Sequence, residues 1–398
     1  MSCQDAISAV PAGSCSACDD GAGLGSYLGL LECLEGLPDP RRKRGMRHRA
    51  AVVLAFAVAA VMAGADSVTA IAEWASDVPP EVLEALGARR DRRGRLVPPS
   101  RSTFRRVLRM LDGQALTAAF GTWLKGQVMA GLADAGALVV ALDGKTVRGA
   151  RTGDGKAPHL LAAMICGVRA VLAQRDVDQK TNEITQVKPL LDDIDIAGAL
   201  VTADALHVQK ETARYLVEDK HADYLFTAVK DNQPGLFAAL DALDWQNAPV
   251  AHTALDRGHG RDETRTIQVL PAPGGLFPYA AQAFLIERTV RDPHDRQLRS
   301  SAAALGITSK TLTRGGTPEV IAATARSHWD IEAVHHIRDT TMREDAQRLR
   351  SGTSPQVMAA VRSTVIAALR LAGFTATAAG RRWAARNPAR PIAVLNLI

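Results

Sequence analysis

Cysteine is scarce in this 398-residue chain, with five in all at Cys3, Cys15, Cys18, Cys33 and Cys166. The stretch "SCSACDD" holds one C-x-x-C, Cys15 and Cys18, and no second pair follows at zinc spacing. It reads as a reduced dithiol in a Gly/Ser-rich tail rather than a metal site, as suits a reducing cytoplasm. A secretory signal is also missing, because the first residues are acidic and polar rather than basic followed by an apolar core. Long hydrophobic runs are missing too. The longest, "AAVVLAFAVAAVMAGA" from Ala50 to Ala65, falls short of the roughly 18 to 20 residues that a bilayer span requires. Its alanine content reads as a buried helix, and no membrane role is expected. No internal repeat of about 20 to 50 residues is visible.

What is present is a globular composition, 47% hydrophobic, on a chain long enough for two or three compact units. Lys and Arg number 48 against 42 Asp and Glu, a net charge of +6. So small an excess matters only where it is clustered, and it is. Residues 1–24 read as a disordered leader rich in small residues. Residues 25–135 read as all helical. "SYLGLLECLEGL" carries apolar residues at helical spacing and stops at Pro38-Asp39-Pro40. The basic block "RRKRGMRHR", with Arg41, Arg42, Lys43 and Arg44, leads into the apolar helix from Ala50. Ser67 is placed to cap a helix carrying Val68, Ile71 and Trp74, and "PPEVLEALG" makes another. In "PSRSTFRRVLRMLD" a Ser100 or Ser102 cap precedes Phe104, Val107, Leu108 and Leu111 at i, i+3, i+4 and i+7. Arg101, Arg105, Arg106 and Arg109 point elsewhere. Two readings stand for that cationic face: a helix-turn-helix surface that meets DNA, or a solvated charged face.

Beyond residue 136 the periodicity changes. "ALVVALDG", "HLLAAMICG", "AVLAQRDV", "AGALVTADAL" and "ADYLFTAV" are short apolar runs of strand character, and "QKETARYLVEDK" is a helix among them. Strands alternating with helices predict an α/β domain over 136–350. "TRTIQVL" and "AFLIERTV" add strands in an insertion at about 245–310, whose attachment the sequence leaves open. "SPQVMAAVRSTVIAALRLAG" supplies a long helix within the closing segment 351–398.

Three acids stand out. Asp143 ends the first strand of the α/β part, and Asp204, in "LVTADALHVQ", ends another and precedes a helix. Glu332 lies in "RSHWDIEAVHHIRDTTMRED", where His328, Glu332, His336, Asp339 and Arg343 fall on one helical face. A carboxylate at the end of a buried strand is costly unless a partner or cation compensates it. Hard divalent ions, Mg²⁺ or Mn²⁺, relieve repulsion between clustered carboxylates. Two of them about 3.5 to 4 Å apart activate an attacking oxygen and stabilise the leaving one in phosphoryl transfer. For either Asp taken alone, the plain alternative is a turn residue or helix cap.

At these residues the chain resembles bacterial insertion-sequence transposases of the DDE type, the group related to H-repeat-associated proteins. The resemblance runs in consistent order over about residues 28–373, through "LPDPRRKRGMRHR", "AIAEWASD", "PSRSTFRRVLRMLD", "LDGKTVRGAR", "KTNEI", "ALVTADALHVQKETA", "DYLFTAVKDNQP", "RGHGRDETR", "RSHWDIEAVHHIRD" and "REDAQRLRSGTSPQVMAAVR". It implies an α/β fold: a ribonuclease H-like catalytic domain with the β-rich insertion, preceded by an all-helical DNA-binding domain. It implies the catalytic triad Asp143, Asp204 and Glu332, holding two Mg²⁺ or Mn²⁺ ions. The activity implied is binding of terminal inverted repeats, cleavage there, and joining of the 3′ ends to target DNA. The partner is double-stranded DNA, and the working form a homodimer or larger in the bacterial cytoplasm. The wider superfamily often has Tyr and Arg before the glutamate and Lys after it. Here those places hold Ala325, His328 and Asp339, so the auxiliary roles do not carry over.

Further cationic candidates for DNA phosphates are Lys145, Arg148, Arg151 and Lys230. His259, Arg261 and Arg265 in "RGHGRDETR" join them, with cross-strand pairing to Asp262 and Glu263 as the alternative. Asn232 and Gln233 in "KDNQP" read as turn formers. His328 is read as structural or phosphate-contacting, because imidazole matches Mg²⁺ poorly. Trp245 is read as a core residue ahead of a platform for a flipped base. Two rival functions stand beside the transposase: a DNA-binding derivative that has lost catalysis, and a nonspecific nuclease of the same fold.

Overall fold

The computed structural model describes residues 29–44, 46–131, 138–152, 155–177, 182–228, 232–258 and 260–396. The leader 1–24, with the Cys15/Cys18 pair, and also Lys230 and His259 lie outside the described residues. The chain divides into two compact units: one of Met1–Gly136, Gly144–Lys180 and Glu332–Ile398, the other of Ala137–Asp143 and Thr181–Ile331.

The first unit is mostly helical. Its centre is the helix Ala50–Met62, buried at every position, as an apolar surface on all sides requires. No helix among the described residues is long and apolar enough to cross a membrane. Helices Leu30–Glu35, Val68–Asp77, Arg101–Met110, Ser354–Leu371 and Thr377–Ala385 pack around it. Ser67 caps Val68–Asp77, its Oγ accepting the Ala70 N–H at 3.1 Å. Ser100, not Ser102, caps Arg101–Met110. That helix buries Phe104, Val107 and Leu108, the stripe its spacing predicts. A two-residue ribbon, β1 (Arg89–Arg90) with β2 (Leu96–Val97), precedes it.

Strand β3 (Val139–Thr146) runs from the second unit into the first. The first unit also holds the antiparallel hairpin of β4 (His159–Ile165) and β5 (Ala170–Val177). Helix Gly113–Gly131 packs on β5 and on Ser354–Leu371. Gly121 marks the closest approach, since a Cβ there would run into the Leu172 carbonyl of β5. Gly121→Ala is therefore expected to destabilise by about 1–3 kcal/mol despite alanine's better helix propensity. Urea unfolding reads this directly, and an unchanged midpoint would show that helix and strand separate at no cost.

The second unit is mixed α/β, built on a large mixed sheet. Its strands are the first part of β3, then β6 (Leu200–Ala203), β7 (Asp223–Ala228), β8 (His252–Gly258), β9 (Arg261–Pro271), β10 (Gln282–Arg291) and β11 (Leu298–Thr308). The order is β3-β6-β7-β11-β10-β9-β8. The first three are parallel, with Val139 opposite Leu200 and Leu200 opposite Asp223. β11 pairs antiparallel with β7, and β8 to β11 form a meander. The inserted strands thus extend the sheet edge to edge. Helix Pro318–Ser327 covers part of it, Ile321 joining Leu200, Leu225, Ile267 and Phe284 in one apolar cluster. Asp223, buried at the start of β7, takes its compensation from Lys310 at 3.3 Å and from Arg314 and Ser309.

Candidate active site

In the parallel pair β3–β6 the last partners are Leu142 and Ala203. Asp143 and Asp204 come next, but β3 continues through Asp143 to Thr146, so Asp143 lies within its strand instead of ending it as expected, while Asp204 directly follows β6. Equal register on neighbouring strands sets their backbones one inter-strand spacing apart, about 4.8 Å. Two acidic residues distant in sequence are therefore neighbours where the β3–β6 pairing stops. Asp143 is half-buried and Asp204 exposed. Asp204 also opens the 3-10 turn Ala205–His207, its Oδ1 accepting the Ala205 N–H. The cap expected as the plain alternative is thus formed by one of its two oxygens.

Two histidines lie near Asp204. His207 is 1% exposed, with Nε2 3.4 Å from Glu183 Oε2 and a buried Nδ1 that has no hydrogen-bond partner. Sequence reading missed it, although it follows Asp204 by only three residues. His328 ends the helix Pro318–Ser327, and its Nδ1 is likewise buried and unpartnered. Burial pushes its pKa down, the Asp204 charge pulls it up, and the result lies below the ordinary histidine range. A neutral ring is a weak partner for phosphate. Gln233 donates to the Val208 carbonyl at 2.8 Å, tying the loop after β7 to the segment after Asp204.

Glu332 is exposed on the helix Trp329–Thr340. The single helical face expected from His328 to Arg343 is shorter at both ends. His328 is the C-cap of the preceding helix, and Arg343 has left the helix with a left-handed φ of 50°. The Met342 N–H closes back on the Ile337 carbonyl, a wide terminal turn that ends the helix. Asp339 stays on it and receives Lys145 Nζ at 2.6 Å.

That contact bears on one expectation. The Lys145 side chain is 8% exposed and its ammonium is held by Asp339. Arg41 is 7% exposed, bound to Asp39 and donating to the His48 carbonyl at 2.6 Å. Arg265 binds Glu263 two residues back on its own strand β9, and Glu263 also takes Arg288 of β10 at 2.6 Å, so the pair that holds Arg265 runs along its strand and not across strands. Trp245 is half-buried, with Nε1 donating to the Leu240 carbonyl at 2.8 Å. Arg42, Lys43, Arg44, Arg101, Arg105, Arg106, Arg109, Arg148 and Arg261 are exposed.

Among the described residues, no group of three or more His, Cys, Asp or Glu side chains is drawn together as a metal cage. The donors of Asp143 and Asp204 are nonetheless carboxylate oxygens, the chemistry that suits hard ions such as Mg²⁺ or Mn²⁺. On that ground the pair fits them.

Comparison with known proteins bears on the same residues. The chain matches the family described as "Transposase DDE domain" over residues 134–367, a span that contains Asp143, Asp204 and Glu332. It matches "DDE_Tnp_1-associated" over 31–124. It is 29% identical over 364 residues to a protein of Escherichia coli O157:H7 named as transposase YncI, covering 87% of this chain and 88% of that one. It is 26% identical over 348 residues to the H repeat-associated transposase YhhI of Escherichia coli K12, covering 85% and 89%. Among solved structures, the piggyBac transposase synaptic complex with hairpin DNA aligns with a TM-score of 0.41 and 10% identity, over 90% of this chain and 75% of that one. That likeness is too low to define the fold. The family match covers more than half of the chain in one continuous span, and the chain belongs to the DDE transposases of insertion sequences.

Proposed function

We propose that this protein binds the terminal inverted repeats of an insertion sequence, cleaves the DNA there and joins the freed 3′ ends to target DNA. Asp143, Asp204 and Glu332 are its catalytic carboxylates and metal ligands in this reading. The observation that carries it is the parallel register of β3 and β6, which brings Asp143 and Asp204 next to each other just past the Leu142–Ala203 pair, in a chain of the DDE transposase family. The parallel run β3-β6-β7 supports a ribonuclease H-like catalytic core.

Two Mg²⁺ or Mn²⁺ ions, when bound, would supply Lewis acidity at the scissile phosphate. Asp143 sits within β3 and Asp204 directly follows β6, positions that a sheet holds more firmly than loops would. Glu332 adds a third carboxylate from a helix. Neutral His328 leaves the charge of Asp204 uncompensated, which keeps that carboxylate suited to a cation. Water attacks the phosphodiester, the bond to the 3′ oxygen breaks and that oxygen leaves as a 3′-hydroxyl, which then attacks a phosphodiester of the target and displaces the target's own 3′ oxygen, the proton passing from the attacking to the leaving oxygen.

The helical part, 25–135, is the proposed DNA-binding region. Arg101, Arg105, Arg106 and Arg109 are exposed, opposite the buried Phe104, Val107 and Leu108. Arg42, Lys43, Arg44, Arg148 and Arg261 add exposed positive charge, and Lys230 and His259 are kept as phosphate contacts on the sequence alone. Joining two element ends supports a dimer or larger assembly. Changing Arg105 and Arg106 together to Ala is expected to weaken DNA binding roughly tenfold and to flatten the salt dependence by about 0.9 for each phosphate that is no longer neutralised. Affinity and salt slope that stay unchanged would return that face to the solvated reading.

The test of function uses full-length protein, Mg²⁺ and DNA carrying the repeats that flank the gene. Cleavage at the repeat ends followed by strand transfer into a plasmid is expected. Binding without nicking by folded protein would favour the DNA-binding derivative, and hydrolysis without joining would favour the nuclease.

A further inference from the structure

Lys145 follows Asp143 by two residues on β3, and a strand turns residues two apart toward the same face. Asp339 follows Glu332 by seven on the helix Trp329–Thr340, two turns on, which keeps both on one side of it. Lys145 Nζ donates to Asp339 Oδ2 at 2.6 Å, while Asp339 Oδ1 is buried with no partner. Lys145 is 8% exposed and Asp339 32%. Apolar side chains of similar volume stabilise a buried position at least as well as an ion pair does, so stability alone does not explain the pair. What an ion pair adds is a fixed place for each partner. The neighbouring chain is held as firmly. Gly149, four residues past Lys145, lies so close to the carbonyls of Glu344 and Gln347 that no Cβ fits. Arg338, beside Asp339, donates to Glu344 at 2.7 Å.

We propose that Lys145 and Asp339 are positioning residues: their ion pair fixes where the Glu332 helix sits along β3, and so aims the third carboxylate, without touching DNA or cation. The inference rests on the reading of Asp143, Asp204 and Glu332 given above.

The test compares full-length Lys145→Met, Asp339→Asn, the charge-conserving Lys145→Arg, and the exchange Lys145→Asp with Asp339→Lys. Cleavage is followed against Mg²⁺ concentration, and Mn²⁺ binding is measured without turnover by calorimetry. DNA affinity and thermal unfolding are recorded for each. Lys145→Met and Asp339→Asn should each raise the Mg²⁺ needed for half-maximal cleavage about ten- to a hundred-fold. Mn²⁺ binding should weaken in parallel while DNA affinity holds. Lys145→Arg should stay near the parent, and the exchange should recover most of the loss. Folded single variants with parental Mg²⁺ dependence and Mn²⁺ binding would overturn the proposal. So would losses that only track the melting temperature and that neither Lys145→Arg nor the exchange repairs. Asp143→Asn serves as the reference. If it still cleaves DNA, the catalytic reading has failed; if it is inactive while Lys145→Met keeps parental ion dependence, only the positioning role has.

Discussion

Asp143→Asn, Asp204→Asn and Glu332→Gln should each yield protein that still binds inverted-repeat DNA but cleaves it roughly 10³-fold more slowly or worse. Each change keeps the shape of the side chain and removes only its charge. The register of β3 and β6 sets Asp143 and Asp204 side by side, and like charges that close raise each other's energy. Asn at 204 can still accept the Ala205 N–H, so thermal unfolding of Asp204→Asn should occur close to the parental temperature. Loss of activity together with retained or gained stability marks a site kept for function at the expense of the fold. Cleavage surviving any one of the three changes would remove that residue from the triad. A large fall in stability would give the residue a structural role instead.

The parts of the molecule legible in sequence are those whose signal is local. Phe104, Val107 and Leu108 announce a helix because burial repeats with its turn, and Ser100 ahead of them supplies the cap. Asp143 and Asp204 stand out because each interrupts an apolar run; at Asp204 that marks the end of β6, whereas β3 runs on past Asp143 to Thr146. That the two strands are adjacent and equal in register is a tertiary fact. The attachment of the insertion is of the same kind, since β11 finds β7 across the intervening chain. Cations were the least legible. Lys145, Arg41 and Arg265 look like the exposed basic residues around them, but each has a carboxylate partner. For Lys145 that partner lies 194 residues away. A charge run shows how many cations are near, and only the fold shows which of them face outward.

The second large effect concerns stability, and it lies in a cluster that sequence reading did not single out. Glu344 is 1% exposed and accepts from Arg338, 2% exposed, at 2.7 Å and from Arg362, 3% exposed, at 2.9 Å. Burial pushes the Glu344 pKa up, but the two guanidinium groups outweigh it and hold the carboxyl below its ordinary value. Glu344→Gln leaves two buried cations without their counter-charge and should cost about 3–5 kcal/mol, measured by chemical unfolding at pH 7. The combined change Arg338→Met, Glu344→Leu and Arg362→Met removes all three charges together and should cost far less than Glu344→Gln alone. A combined variant no more stable than the single one would show that packing, not unpaired charge, sets the loss. Acid should act on the same cluster. Burial, reinforced by Arg338 and Lys145, lowers the His335 pKa from 6.5 to about 3. Below pH 6.5 the unfolded chain gains a proton there that the folded chain refuses, and below 4.5 it gains one at Glu344 as well. Stability must therefore fall as pH drops through this range. Glu344→Gln should remove the lower part of that slope and keep the upper part, which belongs to His335.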